Sequence, residues 1–165
     1  MVENKESNVL AENLQELLDR NYDAQEGFKQ AMEDTDNHDL KRFLFSKAVR
    51  RGEFIAELQK ELNILGLEST REGTVEGTAH RAWIGFKTAL AGKNDKDVLE
   101  ECIRGEQIIH KQYTEQLQAN VFPEKIEEIL RRQMQEIQKT LDEIQTLEDL
   151  AQREWKTDTD LRARF

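Results

Sequence analysis

The chain has 165 residues, enough for one domain with a sizeable core. Only 8 Gly and 1 Pro stand against 35% charged residues, a composition that points to almost continuous helix. A formal net charge of −10 argues against a nucleic-acid or anionic-membrane surface, both of which need clustered Lys and Arg. No run approaches the ~18 apolar residues of a membrane span, and the N-terminal MVENKESNVL lacks the basic-then-apolar pattern of a signal peptide. The single Cys excludes an intramolecular disulfide framework and fits a reducing compartment. A soluble, cytoplasmic, bacterial protein is expected.

The first helix is predicted from about Ser7 to Asp34. Its stripe is Leu10, Leu14, Leu17, Leu18, Ala24, Phe28, Ala31 and Met32; Asn21 and Gln25 interrupt it, and Glu26 falls to the side. Glu33–Asn37 reads as a turn, with Asp36 or Asn37 as the N-cap of a second helix from about His38 to Leu65. On that helix Leu40, Leu44, Ala48, Phe54, Ile55, Leu58, Leu62 and Leu65 share a face with Lys47 and Arg51, and Gly66 is a natural stop. Two long helices and a short turn predict an antiparallel hairpin. A shorter helix over Thr74–Leu90 follows, pinned to the rest by Trp83 and Phe86.

The third long helix covers Asp97–Leu117. Its apolar residues are Val98, Cys102, Ile109, Tyr113 and Leu117, and a turn of 100° per residue places Glu106 inside that stripe, one turn before His110. The fourth is predicted from about Pro123 to Trp155, with Ile126, Ile129, Leu130, Met134, Ile137, Leu141, Ile144 and Leu147 inward, and Gln133 and Thr140 as inward polar positions. Residues 1–155 then form one domain, and 156–165, which have no period, form a flexible tail. Long helices paired first with second and third with fourth, joined by a long connection, predict an all-α, ferritin-like four-helix bundle. Its long crossover carries the extra short helix.

The runs YDAQEGFKQAMED (Tyr22–Asp34), RRGEFIAELQKEL (Arg50–Leu62), GTAHRAWIGFKTAL (Gly77–Leu90) and LEECIRGEQIIHKQY (Leu99–Tyr113) stand in order along the chain. Together they resemble a family of small bacterial ferritin-like proteins catalogued as a domain of unknown function. The resemblance spans roughly Leu10 to Leu150. It implies a four-helix ferritin-like bundle, no established activity, and a loose association with stress-related proteins.

Di-iron proteins of that architecture take a Glu from each of two helices and a Glu-x-x-His pair from each of the other two. No Glu-x-x-His occurs here, and His110 lies four residues from Glu106 rather than three. Arg51 faces inward where an acidic ligand is expected, and a second cation beside it would be repelled. A buried Glu106 still requires a partner, because an unpaired buried charge costs several kcal/mol. The expected answer is an internal ion pair with Arg51, widened by Gln25, Tyr113 or Gln133, with no cofactor. The alternative is a di-metal oxidase or iron-handling protein using Glu26, Glu53, Glu57, Glu106 and His110, with Glu61 also near the axis if a helix is rotated. A third reading is a scaffold that homodimerises through a long helix face. Cys102 reads as a small buried residue, and no nucleophile–base pair, phosphate loop or zinc spacing is present. No catalytic residue is assigned.

Overall fold

A computed structural model of the protein describes residues 2–67 and 92–152. Regular structure among them is all helical: α1 Val2–Glu33, α2 His38–Ile64, α3 Asp95–Ala119, α4 Glu124–Glu143 and α5 Leu147–Gln152. No described helix is long and apolar enough to cross a membrane. The expected helix Thr74–Leu90, with Trp83 and Phe86, and the tail 156–165 lie outside the described residues.

Helix ends are set by local chemistry. Asn37 takes the N-cap of α2, its Oδ1 accepting from the Leu40 N–H at 3.0 Å, and Asn94 does the same for α3 through the Asp97 N–H at 3.0 Å. At the end of α2, Gly66 adopts φ +70°. Its N–H donates to the Asn63 carbonyl at 3.0 Å, while the Leu67 N–H reaches the Leu62 carbonyl at 2.9 Å. This paired closure uses up carbonyls that the helix leaves open, and it needs a residue without Cβ strain in the left-handed region.

Cross-helix contacts fix the directions. Asn21 and Gln25 of α1 meet Arg51 and Ala48 of α2, so the two form an antiparallel hairpin. Gln116 reaches Glu16, Tyr113 meets Asn21 and Asp95 meets Thr35, which makes α3 antiparallel to α1. Lys125 pairs with Glu61, Arg132 with Glu57 and Glu136 with Arg50, so α4 is antiparallel to α2. Helices α2 and α3 are therefore parallel and diagonal to one another, and the end of α2 and the start of α3 lie at opposite ends of the molecule.

The apolar core is in two parts. One holds Leu14, Leu17, Leu18, Phe54, Leu58, Ile109, Ile126, Leu130 and Ile137; the other holds Phe28, Ala31, Leu40, Phe43, Leu44, Val98, Leu99, Cys102, Ile144 and Leu150. Between them in sequence, on every long helix, stands a buried polar residue: Asn21, Arg51, Glu106 and Thr140.

The helix expected to continue from Pro123 to Trp155 is corrected: α4 ends at Glu143. The Asp149 carboxylate accepts from the Gln145 and Thr146 N–H groups at 2.9 and 2.8 Å, and Thr146 Oγ1 accepts from the Asp149 N–H at 3.2 Å. That reciprocal box starts a new helix where the apolar period alone reads as continuation. Helix α5 then packs across α2 and α3, with Leu150 fully buried in the second core cluster.

Candidate polar centre

The centre is built from Glu106 and Arg51, both 3% exposed at the side chain, whose Oε1 and Nη2 lie 2.5 Å apart. They come from the diagonal helices α3 and α2, so the pair spans the middle of the molecule. Helix α1 supplies Asn21: its Oδ1 accepts from Arg51 Nη1 at 3.1 Å, and its Nδ2 donates to the Tyr113 hydroxyl at 2.7 Å. Tyr113 in turn donates to Gln133 Oε1 at 2.7 Å, and Gln133 Nε2 donates to Glu57 Oε2 at 2.8 Å. Each donor in this chain points away from the Arg51 cation and towards the Glu57 anion, so the intervening dipoles align with the field between the two charges. All four long helices contribute.

A ladder of ions closes the α2–α4 side. Arg50 joins Glu53 and Glu136, and Arg132 joins Glu136 and, at 2.6 Å, Glu57. Both Arg50 and Arg51 lie over the Phe54 ring, at 5.2 and 5.3 Å from its centroid, where the ring's negative face meets the guanidinium charge. Donating hydrogen bonds to Glu136 raises the Arg50 guanidinium above its ordinary value. On Glu136 burial works upward, but Arg50, Arg132 and Lys47 outweigh it and hold the carboxyl below the usual range. Between α2, α3 and α4 a cavity of about 30 Å³ is lined by Lys47, Arg50, Arg51, Phe54, Glu106, Glu136, Ile137 and Thr140.

Burial pushes the Tyr113 phenol up to about 12, so it stays protonated and keeps donating. Burial, then the charges of Glu106 and Glu101, push the Cys102 thiol up to about 12, which keeps it a thiol rather than a nucleophilic thiolate. Away from the centre, burial lifts Asp23 to about 6 against the favourable charge of Arg20.

Of the residues singled out in the sequence, Glu106, Arg51, Tyr113 and Gln133 are joined in one network. Gln25 is not in it: its amide donates to the Ala48 carbonyl at 3.2 Å, and Asn21 stands in the place given to it. The alternative metal set is dispersed. Glu26 is exposed and paired with Lys29, Glu53 with Arg50, and Glu57 with Arg132 and Gln133. Glu61 is bound to Lys125, and the His110 imidazole makes no hydrogen bond to Glu106. Among the described residues no group of three or more His, Cys, Asp and Glu side chains is arranged to hold a metal ion.

Asn21 had a signal in the sequence, seven residues from both Leu14 and Phe28 on the same stripe. Glu57 stands out in the sequence only as an alternative metal ligand; its place as acceptor from Gln133 depends on how α2 is turned towards α4. Residues 9–119 match the family model described as Domain of unknown function (DUF2383). No curated protein matches the chain.

Proposed function

The chain belongs to the family described as Domain of unknown function (DUF2383), and from that premise we propose that it is a non-enzymatic, ferritin-like helical bundle of the bacterial cytoplasm. Its polar centre sets helix register and carries no reaction. The observation that carries this reading is the Arg51 guanidinium at 2.5 Å from Glu106 in the middle of the molecule. A cation occupies the position that a metal-binding bundle gives to its ions, and Coulomb repulsion there opposes a second positive charge. Register is the natural output of such a layer. Sliding one helix by a turn would leave Glu106 or Arg51 buried opposite leucine, which costs several kcal/mol, whereas an all-apolar core would tolerate the slip.

The test is metal content. Protein purified with iron, manganese and zinc supplied should carry far less than one equivalent of each by elemental analysis. About two ions per chain, lost on Glu106→Ala, would overturn the reading in favour of a di-metal oxidase or iron-handling protein.

A further inference from the structure

Exposed apolar surface gathers at one end of the molecule. Among the described residues six large apolar side chains are exposed, and Val9, Ile64, Leu65 and Val121 are four of them, at 47, 61, 41 and 97%. The contacts Asn21–Arg51, Gln116–Glu16 and Lys125–Glu61 set the level of each helix against its neighbour. Carried on to the helix ends, they bring Val9 of α1, Ile64 and Leu65 of α2 and Val121 of the α3–α4 turn to the same level. Leu62 and Phe122, beside them in the chain, are buried in the first core cluster, so these four side chains continue that cluster to the surface as an apolar shelf. The fold does not require them. Val121 stands between the cap of α3 and Pro123, where a polar turn residue would serve equally well.

Shape, charge and size point to a second copy of the chain as the occupant. Helix α1 starts at Val2, so at 1.5 Å per residue it rises about 10 Å above the shelf, with residues 5–8 all exposed. A step on one side and a shelf on the other are complementary to themselves about a two-fold axis, each α1 covering the partner's Val121 turn. The described charges around the shelf nearly cancel: Lys5 stands next to Glu6, Lys125 is bound to Glu61 at 3.1 Å, and Glu124 is left over. On a chain carrying −10 this is the end at which two copies repel each other least. The opposite end exposes Glu33, Asp34 and Asp36 and, among the described residues, no large apolar side chain. Association therefore closes at two instead of growing into a filament. The shelf offers on the order of 400 Å² per copy; with its polar rim the total burial is on the order of 1,000 Å², the lower edge of specific interfaces.

We propose that two copies of this chain associate end to end through Val9, Ile64, Leu65 and Val121, as a weak two-fold dimer. The long-helix flanks that carry Phe45 and Ile108, the other two exposed large apolar side chains, take no part in it. Leu65 lies about 20 Å along α2 from Arg51, so the contact stands or falls independently of the polar centre and of the function proposed above.

Sedimentation equilibrium in about 0.15 M salt tests it. For a Kd of about 50 µM, the weight-average mass should rise from about 1.2 chains at about 5 µM to about 1.8 chains at about 500 µM. Val121→Glu places a charge at a 97% exposed position; it should hold the mass at one chain throughout and keep the parent's Tm. Ile64→Lys should do the same from α2, while Phe45→Glu should dimerise as the parent does. A parent mass of one chain at every concentration, as when residues 68–91 or a different protein occupy the shelf, overturns the proposal. So does a dimer that Val121→Glu and Ile64→Lys leave intact, or one that Phe45→Glu abolishes.

Discussion

Replacing Arg51 by Ala strands Glu106. The carboxylate is 3% exposed and has its cation at 2.5 Å, so the variant must bury it unpaired, protonate it, or open the centre to water. Breaking a buried pair from one side costs about 3–5 kcal/mol, and the change also leaves Asn21 Oδ1 without its donor, about 1 kcal/mol more. Against a total stability of about 5–15 kcal/mol this is a large fraction, and for a chain of this length it lowers Tm by about 10 °C. Urea denaturation followed by far-ultraviolet circular dichroism gives the difference directly.

Replacing both residues, as Arg51→Met with Glu106→Leu, removes the two charges together and should restore stability to within about 1–2 kcal/mol of the parent, or above it. The cycle then yields a coupling of at least about 2 kcal/mol. A coupling near zero, or an Arg51→Ala variant that melts with the parent at neutral pH, refutes the reasoning.

Tyr113→Phe removes a hydroxyl that accepts from Asn21 and donates to Gln133, leaving both buried amides short of a partner; a loss of about 1–3 kcal/mol is expected in the same urea titration. Asp23 has a folded pKa of about 6 against an ordinary 3.8 because burial disfavours its charge. Its contribution to stability is therefore full below pH ~4 and lost as pH rises through ~6. Asp23→Asn should stabilise at pH 7.5 by about 1–2 kcal/mol after discounting for solvent screening, and not at pH 4, as melts at the two pH values would show. Leu150→Ala tests the docking of α5: Leu150 is fully buried, so about 2–4 kcal/mol should be lost if α5 folds back over the second core cluster. An α4 that simply continued into solvent would leave stability unchanged.

Much of the secondary structure is legible in single residues. The Asn37 cap, the Gly66 stop and the break at Asn120–Pro123 are local events, settled by side-chain hydrogen bonds and dihedral preference within a few residues. The break after Glu143 is equally local, since Thr146 and Asp149 close on each other's backbone. It is hidden because Ile144 and Leu147 keep the apolar period of the preceding helix, and periodicity does not register a helix that stops and restarts on the same face.

Position on a stripe tells which polar residues are buried, and the need of a buried carboxylate for a cation narrows the partner of Glu106 to the one arginine on an inward face. Sequence by itself therefore determined the first three long helices of the described residues, the start of the fourth, their apolar faces and the presence of a polar layer, because each of these follows from spacing along one chain. Only the tertiary structure decided that Asn21 rather than Gln25 meets Arg51, and that Glu57 closes the hydrogen-bond chain from Tyr113. It alone placed a cavity beside the ion pair. Those outcomes depend on the rotation of one helix against its neighbour, and a turn of a few tens of degrees, about a third of one residue's step, moves a side chain from the axis to the flank without changing any pattern in the sequence.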